Sequence, residues 1–279
     1  MCKKGNFVDN KMLKLLQALE KNVSLSEAIM IIVGVAFLKF ISNSLDNNTN
    51  KSIIIPKESK WSYLKSINSN KTINLDLCKA MQGIEAHNTS LYRVLPDFDV
   101  LESIDSIVLE ELIAHIDEVI NTKKGDTLGD IFELFVRRII LLKSSNVNGQ
   151  FYTPKCVVEL LINLIKPLKG KLYDPCCGSG SMFINSYQLI KQTLYSAKDI
   201  MFYGQESSLL TWRLCKMSMS IHGIDSCNIK WNAEGTLLND EHKHLEADFI
   251  LANPPFNIKN WGLDQLTHDK RWLFGIPPQ

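Results

Sequence analysis

The chain has 279 residues, 45% of them apolar, 9% aromatic and 22% charged, a balance that excludes disordered, collagen-like and low-complexity classes. Its 31 basic and 30 acidic side chains leave a net charge of +1, so no basic excess advertises a polyanion partner, and any nucleic-acid contact is local or shared. The seven cysteines are odd in number, scattered and without a C-x-x-C pair, which speaks against a disulfide framework or zinc site and fits a reducing cytoplasm.

In chain order, Met1-Cys2-Lys3-Lys4 leads into polar Gly5-Asn6 with no apolar h-region, so no signal peptide is expected. Apolar spacing predicts a helix over Leu13 to Glu20, and Ser24-x-x-Glu27 is a capping box ahead of a second helix from Ala28 to Ile41. The apolar run Ala28 to Leu38 stops at Lys39, short of the roughly 18 to 20 residues that span a bilayer, so it reads as a buried helix. Ser42 to Ser52 is polar and reads as a loop, and Ile53-Ile54-Ile55-Pro56 reads as a short edge strand. Helical spacing resumes from Ser62 to Ile120 with a break at Pro96, and Thr127 is placed to cap a helix from Leu128 to Lys143.

Near Ser144 the pattern changes to short strands alternating with helices, the grammar of a parallel α/β sheet. This sets a domain boundary, with a helical N-terminal domain over 1–145 and an α/β domain over 146–279. Predicted strands are Lys171 to Asp174, Met201 to Gln205, Asn228 to Trp231 and Asp248 to Ala252. Predicted helices are Pro154 to Ile165, Ser181 to Tyr195 and Leu209 to His222.

Asp174-Pro175-Cys176-Cys177-Gly178-Ser179-Gly180-Ser181 lies between a predicted strand and a predicted helix, where glycines and a helix N-terminus present amide donors to a ligand. It is neither a dinucleotide fingerprint, because Phe183 stands where the third glycine belongs, nor a phosphate loop, because the lysine is missing. Glu206 ends the next strand, where an acidic side chain accepts from ribose hydroxyls. The pair points to a nucleoside-bearing cofactor without a pyrophosphate; the alternative is a tight turn with a surface glutamate. Asp248 to Phe256 is a strand running into Asn253-Pro254-Pro255-Phe256. Two prolines remove donors and leave carbonyls and the Asn253 amide oxygen to accept from an amino group, with Phe256 as a stacking face. A plain Pro-Pro turn after a strand is the alternative there. No Cys follows Cys227, so no thiol nucleophile stands beside these prolines in sequence. His242-x-His244 reads as a solvated loop, and Cys176, Cys177, Trp212, Met217 and Met219 as packing residues.

Gly149-Gln150-Phe151-Tyr152-Thr153-Pro154-Lys155, Asp174 to Ser181, Tyr203-Gly204-Gln205-Glu206 and Asn253 to Phe256, in that order, resemble the modification subunit of type I restriction-modification systems, an S-adenosyl-L-methionine-dependent DNA adenine-N6 methyltransferase. Leu128-Gly129-Asp130-Ile131-Phe132-Glu133 is similar to that family's linker helix. The resemblance implies a Rossmann-like methyltransferase domain, with an incomplete sheet, behind an all-helical N-terminal domain. By resemblance, Gln150, Phe151, Tyr152, Thr153, Pro154 and Lys155 wrap the methionine side of the cofactor. Asp174, Gly178, Ser179, Gly180 and Ser181 shape its pocket, Glu206 holds its ribose, and Asn253, Pro254, Pro255 and Phe256 receive an adenine flipped from duplex DNA. Asn-Pro-Pro-Phe resembles the adenine pattern more than the cytosine-N4 one.

The implied partners are DNA, a specificity subunit that encodes the recognition sequence and a restriction subunit; no metal and no membrane are implied, and the implied location is the cytoplasm. Two departures stand out. Gly235 in Asn232-Ala233-Glu234-Gly235-Thr236-Leu237 occupies a place where the family carries Asp or Asn, with Glu234 a stand-in for contact with the cofactor's adenine. The family also follows the Trp272 to Gln279 segment with further strands and a helical region, so the expectation is a truncated subunit with four of about seven strands and doubtful isolated activity. An inert assembly-binding relic and a methyltransferase acting on RNA or protein amino groups are the alternative readings.

Overall fold

The computed structural model describes residues 10–46, 53–66, 72–121, 128–143, 153–196, 198–256, 258 and 261–276. The chain divides into two compact units, Met1–Ser145 with Arg213–Cys227, and Asn146–Trp212 with Asn228–Gln279.

The first unit is helical: α1 (Asn10–Leu19), α2 (Leu25–Asp46), α3 (Trp61–Ser66), α4 (Ile73–His87), α5 (Phe98–Glu102), α6 (Ser106–Asn121) and α7 (Leu128–Lys143). The capping box forms reciprocally, the Ser24 N–H donating to Glu27 Oε2 at 2.7 Å and the Glu27 N–H to Ser24 Oγ at 3.3 Å. This helix is apolar on all sides and buried on all sides: Ile29, Ile32, Val33, Phe37 and Phe40 are fully enclosed. Phe37 and Phe40 both meet Phe132 of α7 edge-on, with centroids 6.1 and 5.3 Å apart. Its stretch Leu25–Ser44 is long and apolar enough to cross a membrane, and most of it is buried by neighbouring helices. Arg213, also in this unit, clasps Asp97 with both terminal nitrogens at 2.7 and 3.3 Å and donates from Nε to the Arg93 carbonyl.

One polar cluster lies inside these helices. Asp117 of α6 accepts from Lys39 of α2 at 2.7 Å, from Lys65 of α3 at 2.6 Å and from the Trp61 indole at 2.8 Å. Burial opposes charge on Asp117, yet the hydrogen bonds from Lys39, Lys65 and Trp61 outweigh it and hold the carboxyl well below the usual carboxylate range.

The second unit is α/β: α8 (Lys155–Ile165), β1 (Gly170–Asp174), α9 (Ser181–Lys191), β2 (Ile200–Glu206), the start of α10 (Leu209–Ile221), β3 (Ile229–Trp231), α11 (Gly235–Leu238), β4 (Phe249–Ile250) and α12 (Leu263–Leu266). The four strands are parallel in the order β3-β2-β1-β4, with Leu172 level with Phe202 on one side and Phe249 on the other. From β1 through β3 the chain steps in one direction, and β4 then returns to the far side of β1. Strand order therefore reverses between β1 and β4, the position at which open α/β sheets hold ligands beyond the carboxyl ends of their strands.

Three expectations are corrected. Ser42 to Asp46 is helix, not loop, because Ser44 returns its hydroxyl to the Phe40 carbonyl at 3.0 Å and Ser42 accepts from the Trp61 N–H at 3.0 Å, so these polar residues are satisfied inside. Ile53 to Ile55 is not a strand: the Asn88 side chain pairs with both backbone groups of Ile54, each at 2.8 Å, in place of a neighbouring strand. β4 is regular only over two residues, although the Asp248 N–H donates to the Lys171 carbonyl and the Leu251 N–H to the Tyr173 carbonyl at either end. The Thr127 cap lies outside the described residues.

Asp117→Ala strands Lys39, which is 8% exposed, without its counter-charge. It is expected to cost about 3 kcal/mol in urea unfolding of the full chain, and adding Lys39→Met should recover most of the loss. A carboxyl depressed on folding contributes stability above its unfolded value of about 4 that is lost as pH falls further, so this variant should also flatten acid unfolding.

Candidate functional site

β1 ends at Asp174, and the chain turns through Pro175 to Gly180 before Ser181 opens α9. Gly178 takes φ +56°, and a Cβ built on it would meet no atom within 4 Å, so the backbone there faces open space. The Cys177 N–H donates to the Gln205 carbonyl at 3.1 Å, which fastens this loop to the neighbouring strand.

Asp174 is 2% exposed, and the Cys176 N–H donates to its Oδ1 at 3.0 Å. Burial pushes its carboxyl up to about 7 against that bond, and the nearby Glu206 charge adds to the rise. Glu206, at the end of β2, is buried but partnered: Oε2 accepts from the Gly178 N–H at 3.0 Å and Oε1 from the Ser208 N–H at 2.8 Å. One carboxylate thus braces the glycine loop and caps the start of α10.

Beyond β4 the chain returns toward this loop. Asn253 donates from Nδ2 to the Thr153 hydroxyl at 2.8 Å, just before α8. Thr153, Asp174, Cys176, Cys177, Gly178, Ser179, Ser181, Met182 and Asn253 line one cleft of about 70 Å³ within the second unit. Six of these were singled out from sequence: Thr153, Asp174, Gly178, Ser179, Ser181 and Asn253. Gly180 sits at the start of α9, and Pro254, Pro255 and Phe256 are exposed beyond Asn253, with Phe256 53% exposed. Pro154 and Lys155 begin α8 and are exposed, Lys155 lying 3.9 Å from Glu159. Gln150, Phe151 and Tyr152 lie outside the described residues. Among the described residues, no group of three or more His, Cys, Asp or Glu side chains is placed to hold a metal.

Two residues stand in surroundings that their sequence context does not announce. His242 is not a solvated loop residue: its ring packs edge-on to Tyr173 and Tyr203 at 5.6 and 5.5 Å, and Nε2 lies 3.1 Å from the Gly204 carbonyl. Gln205, quoted in a motif without a role, is fully buried and grips the loop after α11. Its Nε2 donates to the Asn239 carbonyl at 2.6 Å, and its Oε1 accepts from the Glu241 N–H at 3.0 Å. A polar residue on an otherwise enclosed strand was the signal available for it.

Gly235 has φ +75°, a conformation that among residues with a Cβ only Asn and Asp adopt readily. The departure from Asp or Asn thus keeps the backbone and drops the side chain. Glu234 is exposed and does not line the cleft. Thr236 donates its hydroxyl to the Pro175 carbonyl, tying this turn to the glycine loop.

Comparison with known proteins adds to this geometry. Residues 123–279 match the family described as N-6 DNA Methylase, and residues 8–116 match the HsdM N-terminal domain. The HindI type I restriction enzyme methylase subunit of Haemophilus influenzae is 36% identical over 162 residues, covering 58% of this chain and 36% of its own length. The MjaIX type I methylase subunit of Methanocaldococcus jannaschii is 26% identical over 227 residues, covering 78% of this chain and 39% of its own. The chain therefore spans less than half the length of these curated relatives. The crystal structure of a type I restriction-modification methyltransferase subunit from Streptococcus thermophilus superposes with a TM-score of 0.64 at 19% identity, covering 94% of this chain and 66% of that one, which shows the shared fold. With more than half of its residues in that match, the chain belongs to the N-6 DNA methylase family.

Proposed function

We propose that this chain carries the methyl-transfer site of a type I modification subunit, which uses S-adenosyl-L-methionine to methylate adenine N6 in DNA. In this reading a helical domain over 1–145 precedes a methyltransferase domain over 146–279, and the protein works in the cytoplasm with a specificity subunit and a restriction subunit. The observation that carries the reading is the meeting of the Asp174 to Ser181 loop with Asn253 in one cleft at the reversal of strand order.

The residues present fit the cofactor. Gly178 opens onto free space, and Asp174 is a buried carboxyl beside the cleft that a cationic ligand would favour in its charged form. Thr153, Asp174, Gly178, Ser179, Gly180 and Ser181 would hold S-adenosyl-L-methionine together with Glu206, with Gln150 to Tyr152 and Pro154-Lys155 from the preceding segment. When bound, it supplies an electrophilic methyl group on a positive sulfur. Glu206 Oε1 takes the Ser208 N–H and the Ser207 hydroxyl, whereas Oε2 takes the Gly178 N–H alone and has accepting capacity left for a ribose hydroxyl.

The target adenine must leave the duplex, at an unstacking cost of a few kcal/mol. The exposed Phe256 offers the face on which it stacks. The Asn253 amide oxygen and the Pro254 carbonyl accept from the exocyclic amine, which draws its lone pair out of conjugation with the ring and makes the nitrogen nucleophilic. Pro254 and Pro255 fix the backbone of this acceptor and bring no competing N–H. No covalent enzyme intermediate is needed, so positioning and electrostatics supply the rate.

Calorimetric titration of the full chain with S-adenosyl-L-methionine tests the first half of this reading, with saturable one-to-one binding and a raised melting temperature expected. Detection of N6-methyladenine in DNA incubated with the chain and a specificity subunit tests the second. Asn253→Ala should abolish transfer while leaving cofactor affinity nearly unchanged; equal loss of both would refute the assigned roles. Glu206→Ala should weaken cofactor binding first, and Glu206→Gln, which keeps an acceptor for Gly178 or Ser208, should weaken it less.

The Asp174 carboxyl titrates near 7 in the fold and near ~3.9 unfolded, so its burial costs stability progressively as pH rises between those values. A bound cation favours the ionised form, so cofactor affinity is expected to rise with pH up to about 7, by at most about tenfold per unit. Asp174→Asn should flatten that dependence in calorimetry across pH 5.5 to 8.

A further inference from the structure

We infer that Thr153 is a positioning residue for Asn253: its hydroxyl accepts from the amide's Nδ2 and holds the side chain in the arrangement that leaves Oδ1 to accept. The inference rests on the proposed adenine-methylating role and adds to it a residue that the cofactor assignment alone gives no such task. An asparagine amide presents one acceptor and one donor face, and the two are exchanged by a half-turn about a single bond. A target amine needs the acceptor face; the donor face would oppose its N–H groups.

The structure shows the arrangement with the donor face engaged. Asn253 Nδ2 donates to Thr153 Oγ1 at 2.8 Å, and both residues line the cleft. Among the described residues the hydrogen bond of this side chain runs through Nδ2, which leaves Oδ1 to accept from a ligand. Asn253 thus lies beside two segments distant in sequence: Thr153, just before α8, bonds its side chain, and Cys176, in the loop after β1, lines the same cleft. Pro254 has no N–H to offer, so the bond to Thr153 is the side-chain tie that Asn253 makes among the described residues.

The test uses the full-length chain in three forms: wild type, Thr153→Val, which is nearly isosteric but cannot accept, and Thr153→Ser, which can. In ¹⁵N-asparagine-labelled protein, the Asn253 side-chain amide signal is identified by its loss in Asn253→Ser. Thr153→Val is expected to move that signal and leave the other asparagine amides in place, and Thr153→Ser to restore it. In single-turnover methylation at saturating cofactor, Thr153→Val should lower the transfer rate about 10- to 100-fold, a loss larger than any loss of cofactor affinity and of the size expected for a misplaced reacting group.

An Asn253 signal unmoved by Thr153→Val overturns the inference. So does a loss of cofactor affinity that matches the loss of rate, since Thr153 would then act as a cofactor contact alone. If wild-type protein makes no N6-methyladenine, the functional reading fails, and the amide signal still decides whether Thr153 orients Asn253.

Discussion

The reversal of strand order beside β1 is the constraint from which the site follows. Successive right-handed crossovers carry a chain across a sheet in one direction and fill the space over each pair of neighbouring strand ends. Where the direction changes, two adjacent strands send their loops apart, and a crevice opens between them. Here the strands are β1 and β4, and the loops that leave them carry Asp174 to Ser181 and Asn253 to Phe256. Two segments separated by about seventy residues become neighbours through this strand order.

Two buried carboxylates then set the electrostatics of the crevice. Glu206 accepts backbone N–H groups from Gly178 and Ser208, whereas Asp174 has one such donor and its carboxyl is raised by burial and by the Glu206 charge. Asp174 ends β1 and Glu206 ends the neighbouring β2, so like groups at one sheet edge differ in their surroundings: Glu206 organises two backbone N–H groups and Asp174 one. The helical unit makes the opposite use of burial, since Asp117 is surrounded by donors and serves only to join α2, α3 and α6.

Much of this was legible in the sequence where local chemistry decides. The capping box at Ser24, the glycine loop after β1 and the proline-stopped end of β4 each carry their own signal within a few residues. The failures arise where a partner distant in the chain intervenes. Ile53 to Ile55 has strand composition, but its pairing partner is the Asn88 side chain and not a strand. Ser42 and Ser44 look like loop residues until their hydroxyls find partners at Trp61 and Phe40. His242 has the surroundings of a solvated residue in sequence because the tyrosines that enclose it lie on β1 and β2, about seventy and forty residues away. Gly235 was read as a departure from a motif, and its positive φ explains why glycine is acceptable there.

Gln205 and Glu206 are consecutive residues on β2, so the pleat sends one to each face of the sheet. Gln205 gives an amide N–H to the Asn239 carbonyl, and Glu206 takes backbone N–H groups on the other face. Had β2 paired one residue out of step, a carboxylate would oppose the Asn239 carbonyl in a dry interior and an amide would replace the acceptor of the glycine loop. The two side chains therefore check the alignment of the strand as it folds. A misaligned sheet is penalised by charge repulsion at the place where misalignment would spoil the crevice.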